Sequence, residues 1–278
     1  MAQSNTQTAF GRFLKFWRDI HSIKQEVLAF KINSSARHLS RLENGISRPS
    51  ESIIEDIARE LSLGERDKNH LLISAGYAPI LKKVDFNSPQ MKWLRKAMIY
   101  NLKALDPHPS ALIDSLGNIL MVNKAWVGFY RGKCSISVVN DVTNIYDFLF
   151  NSEEASNGVD GWDNILSALL MAFNQQALFK SDPSEDNLFN HLSSHHNVPH
   201  DWKLRAASIE PMASFRAEFN VDGKQNSFFC VNSTVGALGP TAYISEPQLT
   251  VNTLFPENEN MDMSRFINND FKHPLLFY

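Results

Sequence analysis

Arg37 and Arg41 stand four residues apart, so on a helix they share a face, and each guanidinium can donate two hydrogen bonds to a guanine edge. Ala36 and Ser40 lie beside them, and His38 is placed to touch a base or a phosphate. Gln25, earlier in the chain, opens an expected helix, where its side chain and the nearby N–H groups can meet a phosphate. Arg48 follows the reading segment and can clamp the DNA backbone; Arg12 is a further phosphate candidate. Arginine pairs are common on helix surfaces, so no single residue here is informative. The order is. A short helix, a tight turn and a second short helix lead into Glu43-Asn44-Gly45 and then Arg48-Pro49-Ser50. With its basic face, that order predicts a helix reading the major groove, flanked by phosphate donors.

Other chemistry finds less support. His191 and His195 are four apart, as are His196 and His200, a spacing that can hold zinc. No Glu follows His191 in the metalloprotease manner, and Pro199 interrupts any helix before His200, so an exposed polar loop and no metal site are expected. Cys134 and Cys230 have neither a redox nor a zinc spacing, which suits a reducing compartment. The chain has no phosphate-cradling glycine loop, nucleophile elbow or nucleotide-binding fingerprint, and no cofactor is called for.

The elements that must carry the DNA-facing residues are helices. Residues 10–20 place Phe13, Leu14, Trp17 and Ile20 on one side and leave Arg12, Lys15 and Arg18 for solvent or phosphate. Residues 25–30 form a second helix, and Asn33-Ser34 supplies a turn in which Asn accepts a left-handed backbone. Ser35 caps a third helix over 36–43, with Leu39 and Leu42 inward. Ser50 caps a fourth, and Glu65 opens a fifth that ends at Ala75-Gly76.

These segments carry a resemblance. Gln25-Glu26-Val27-Leu28-Ala29, then Ser35, then Leu39-Ser40-Arg41-Leu42-Glu43-Asn44-Gly45 and Pro49-Ser50, closely resemble the helix-turn-helix of the phage-repressor, or XRE, class of regulators over residues 10–63. The resemblance implies a lambda repressor-like all-α fold that binds duplex DNA. It makes Gln25, Ala36, Arg37 and Arg41 the DNA-facing positions and Leu42 and Glu43 structural. Lys24 departs from the usual capping Ser or Thr, and Asn33-Ser34 from the usual Gly and apolar residue.

Beyond residue 80 the pattern changes. Residues 80–90 read as a linker and 91–105 as a helix. Short strands are expected at 111–113 and 119–122, and a helix from Asn123 through Phe129. Residues 143–150, 162–179 and 181–190 read as helical. Asp222-Gly223 marks a hairpin between strands at 215–221 and 228–231, and residues 243–244 and 249–255 supply the last strands. A small antiparallel sheet covered by helices follows.

Glu65-Arg66, His70-Leu71-Leu72 and Ala75-Gly76-Tyr77-Ala78-Pro79 resemble the segment that joins this module to the sensor domain of MmyB-like regulators. Further matches are 105–109, 111–114, Asn123, Asn144, 148–150 and Gly161-Trp162. The resemblance implies a PAS-like α+β domain over 91–260, after a helix-turn-helix domain over 10–79, with a pocket for an apolar, fatty-acid-like ligand. Asn123, Trp126, Phe129, Tyr146, Phe148, Phe150 and Trp162 are the candidate contacts, and Arg131, Lys133, Arg205 and Arg216 the candidate partners for a carboxylate head. Plain core packing by the rings, and a helix cap by Asn123, are the alternative readings.

Charge fits a polyanion partner at one end. Residues 10–48 carry a net +5, and residues 84–278 a net −7. No stretch approaches the length of a membrane span, and the start is not a signal peptide, so a cytoplasmic protein is expected. The whole reads as a ligand-responsive, homodimeric regulator on a palindromic operator, not an enzyme. An enzyme with a DNA-binding head, or a second domain that only dimerises, are the alternatives.

Overall fold

Thr8 accepts a hydrogen bond from the Gly11 amide at 3.2 Å and starts the first helix, α1 (Ala9–Ile20). The computed structural model describes residues 8–80, 85–156, 161–180, 183–209, 216–235 and 249–278. α2 (Gln25–Lys31) and α3 (Ala36–Glu43) follow, and the chain turns between them through Asn33 at φ 51°. The Ser35 hydroxyl caps α3 by accepting from the His38 amide at 3.1 Å. Ser50 caps α4 (Glu51–Glu60) in the same way, and α5 (Glu65–Ser74) completes the bundle. Apolar residues three and four apart bring Leu14, Leu28, Leu39, Leu42, Ile54, Ile57 and Leu71 into one core.

The chain divides into two compact units near Lys82. Both ends of the segment expected as a linker are held by hydrogen bonds. Buried Asn69 takes the Ile80 amide at 2.8 Å and donates to the Ile80 carbonyl at 2.9 Å, tying residue 80 to the first unit. Phe86 is buried, and Arg95 donates to the Phe86 and Ser88 carbonyls at 2.5 and 2.7 Å, tying these residues to the second. Residues 81–84 lie outside the described residues.

In the second unit, α6 (Lys92–Leu105) precedes an antiparallel sheet of β1 (Ser110–Ile113), β2 (Ile119–Val122), β3 (Arg216–Val221), β4 (Lys224–Val235) and β5 (Leu249–Pro256). The order is β2-β1-β5-β4-β3. Asp222 and Gly223, both with positive φ, turn β3 into β4 as the hairpin signal predicts. The expected strand at 243–244 lies outside the described residues.

Both faces of the sheet are covered, because its strands alternate apolar residues between two cores. Ala111, Ile113, Ile119 and Leu254 join the larger core; Leu112, Met121, Leu249 and Val251 join the smaller one under α6. Helices α7 (Lys124–Arg131), α8 (Ile136–Asp141), α9 (Ile145–Phe150), α10 (Glu153–Ser156), α11 (Trp162–Lys180), α12 (Pro183–Ser193) and α13 (Trp202–Ser208) come between β2 and β3. Of these, α8, α10 and α13 were not expected from the sequence.

The limit expected at residue 260 is too short. Buried Met263 and half-buried Phe266, Phe271, Leu275 and Leu276 pack on the larger core. The Val122 amide donates to the Leu275 carbonyl at 2.9 Å, so this tail runs along the β2 edge of the sheet. A Cβ on Gly128 of α7 would sit 1.9 Å from the Phe266 carbonyl oxygen.

Candidate nucleic-acid interface

On α3, Leu39 and Leu42 are buried while Arg37 and Arg41 are exposed on the opposite side. Arg37 makes no hydrogen bond or ion pair among the described residues, so its guanidinium is available. Arg41 donates to the Ser47 hydroxyl at 3.0 Å, which fixes its direction and leaves its terminal nitrogens outward. Ser40 accepts from Asn44 through both its carbonyl (2.8 Å) and its hydroxyl (3.3 Å). His38 faces the Ser34 hydroxyl at 3.1 Å, and Ala36 is half-buried beside the Ser35 cap.

Behind this surface lies a charge network that the spacing of residues did not announce. Glu43, at the end of α3, is buried with 3% exposure. Arg18 Nε donates to its Oε1 at 2.8 Å and Gln25 Nε2 to its Oε2 at 2.6 Å. Arg18 also donates to the Ile23 carbonyl at 2.9 Å. The bond to Glu43 holds the Arg18 guanidinium above its ordinary pKa, against the opposing effect of burial. Arg18, expected to face solvent or phosphate, is instead a bolt between α1 and α3. Gln25 is half-buried and oriented by the same carboxylate.

Arg48, expected to clamp the DNA backbone, is also engaged within the unit. It donates to the Ala75 and Gly76 carbonyls, both at 3.1 Å, and lies 4.5 Å over the Tyr77 ring. Tyr77 in turn donates to the Pro49 carbonyl at 2.9 Å. Arg48 thus fastens the end of α5 to the entrance of α4. Arg12 is exposed on α1.

A family model described as helix-turn-helix matches residues 14–67. The first unit is a DNA-binding helix-turn-helix of the XRE type. The match supports a DNA-binding role in transcription regulation. No curated protein matches the chain.

The second unit accompanying this helix-turn-helix gathers six of the seven expected ligand contacts, all but Asn123, into one core. Asn123 is committed to the fold. Its Oδ1 accepts from the Ser110 and Trp126 amides, both at 2.9 Å, and its Nδ2 donates to the His108 carbonyl at 2.8 Å. Trp126, Phe129, Phe150 and Trp162 are buried, and Trp162 Nε1 donates to the Glu218 carbonyl at 2.8 Å. Phe129 meets Phe219, Phe228 and Phe266 edge-on at 5.3–5.5 Å between centroids. Tyr146 and Phe148 are half-buried, at 4.6 Å from Phe173 and 4.8 Å from Tyr130.

The four cations expected for a carboxylate head are engaged within the protein. Arg131 donates to the Lys272 carbonyl, Lys133 pairs with buried Glu154, Arg205 with Asp163 and Asp201, and Arg216 with Glu257. His191 meets Asp147 at 2.8 Å and His195 meets Asn151 at 2.9 Å. Among the described residues no group of His, Cys, Asp or Glu is arranged to hold a metal ion, and no helix is long and apolar enough to cross a membrane. Burial pushes the Cys230 thiol up to about 11, which keeps it protonated and unreactive near neutral pH.

Proposed function

We propose that the chain reads a specific duplex sequence by placing α3 in the major groove, with Arg37 and Arg41 as base readers. The observation that carries this is the free, exposed Arg37 beside an Arg41 that Ser47 holds in position. A directed guanidinium loses less freedom on forming a bidentate contact to guanine than a mobile one. One reading helix covers about one half-site, so the regulator acts as a homodimer on a palindromic operator. Selection from a random duplex pool followed by binding titrations tests the assignment. Arg37→Ala is expected to lose about 1–3 kcal/mol of discrimination at one base pair. Unchanged affinity and specificity in both Arg37→Ala and Arg41→Ala overturn it.

The second unit is the regulatory half, a PAS-like sensor of the MmyB type and not a catalyst. The sheet order β2-β1-β5-β4-β3, with helices inserted between β2 and β3, supports that reading. Its ligand is apolar and fatty-acid-like, admitted beside half-buried Tyr146 and Phe148, the least enclosed of the expected contacts. Added medium- or long-chain fatty acid raises the melting temperature of the whole chain, by about 2.7 kcal/mol of stabilisation at a hundredfold excess over Kd. No shift with any chain length, and no lipid in organic extracts of the purified protein, remove this ligand class.

A further inference from the structure

We propose that the outer face of α6 is a self-association surface, occupied by the same face of a second copy lying antiparallel to it. The inner face of α6 is spent on the sheet through Leu94, Met98, Ile99 and Leu102. The outer face is not. Trp93 is 74% and Tyr100 63% exposed, and Ala97 and Ala104 are exposed with them. These four residues are spaced four, three and four apart, the narrow seam by which two helices pack side by side.

The occupant follows from the alternation of large and small side chains. In an antiparallel pair with its two-fold axis between Met98 and Ile99, Trp93 lies opposite the partner's Ala104, and Tyr100 opposite the partner's Ala97. Every layer then matches one ring with one methyl group. A parallel pair puts Trp on Trp and Ala on Ala, with alternating clash and void. The antiparallel pair also sets Lys92 and Lys96, whose ammonium groups flank the Trp93 ring at 5.9 and 6.0 Å, beside the carbonyl end of the partner helix.

Two quantitative features follow. A seam of this length falls short of the ~1,200 Å² that specific stable interfaces bury, so the DNA-free dimer is weak and the operator consolidates it. The helix carries Lys92, Arg95, Lys96 and Lys103 and no acidic residue, so like charges oppose pairing until salt screens them. Self-association therefore tightens as salt rises, whereas DNA binding weakens.

The inference rests on the homodimer reading above, but its first test needs no DNA. Sedimentation of the full chain is expected to show a monomer–dimer equilibrium that shifts toward dimer at higher salt and is lost in Trp93→Glu. Mixed Ala97→Cys and Tyr100→Cys chains are expected to cross-link on oxidation faster than either variant alone. On DNA, Trp93→Glu is expected to keep wild-type affinity for a single half-site and to bind the two-half-site duplex at least about a hundredfold more weakly. A wild-type chain that stays monomeric at every concentration and salt, or a mixed pair that cross-links no faster than Ala97→Cys alone, overturns the proposal. Either result leaves the Arg37 assignment standing, because the half-site titration reads that separately.

Discussion

Glu43 keeps a negative charge inside the first unit because Arg18 and Gln25 donate to its two oxygens. Glu43→Ala leaves the half-buried Arg18 guanidinium with only exposed Asp19 and the Ile23 carbonyl as partners, and the unit is expected to lose about 1–3 kcal/mol in urea denaturation followed through Trp17. A loss below about 1 kcal/mol means that water replaces the carboxylate without penalty. The shared exposed face of Arg37 and Arg41 was legible in the sequence, since they are four apart on one short helix. The bolt behind it was not, because its partners are 25 residues apart and only the fold brings them together. The contacts of Arg48 within the unit were hidden for a related reason. An arginine just beyond a reading helix suits a phosphate contact, and nothing local shows that the end of α5 offers it two carbonyl groups.

Elements were legible where their ends carry local chemistry. Ser35, Ser50 and Asn123 each cap the helix expected after them, and Asp222-Gly223 makes the expected hairpin. α8 was missed because Ile136 and Val138 are exposed and Val139 alone is buried, so the helix has no apolar stripe to read. Two variants test how elements are joined. Arg48→Ala is expected to cost about 1 kcal/mol in melting of the first unit, through the lost carbonyl bonds and ring contact, with no change in the salt slope of DNA binding. A reduced slope restores the phosphate role. Gly128→Ala forces a methyl group against the Phe266 carbonyl and is expected to cost about 1–3 kcal/mol, read in urea denaturation of the second unit. An unchanged midpoint shows that the tail yields freely.

At the scale of the whole molecule, residues 261–278 were the largest omission, because their apolar residues follow neither strand nor helix period. Their anchor is His273, which is buried; its Nε2 donates to the Val139 carbonyl at 2.9 Å and its Nδ1 accepts from the Leu275 amide at 3.1 Å. Burial holds the imidazole below its ordinary pKa of 6.5, the Val139 carbonyl opposes this, and the charge of Arg131 adds to it. The folded chain therefore binds fewer protons than the unfolded chain just below that value. Stability from this group is complete above the unfolded pKa and is lost as pH falls toward the folded one. Urea midpoints taken across this range are expected to fall on acidification, and less steeply in His273→Gln. His108 and His195 are also held low, chiefly by burial, and keep part of the slope in that variant. An identical slope in His273→Gln removes the tail from the account.

β5 comes last in the chain yet lies in the middle of the sheet, between β1 and β4. Ser110 pairs with Thr253, and their hydroxyls are 3.0 Å apart. A chain leaving the ribosome can complete its helix-turn-helix while this sheet still lacks its keystone. Until residues 249–256 emerge, β1 has a bare edge and the β3–β4 hairpin has nothing to dock on. Such distant closure is slow. A premature stop after β2 and before residue 249 thus leaves a complete helix-turn-helix joined to a sheet without its central strand.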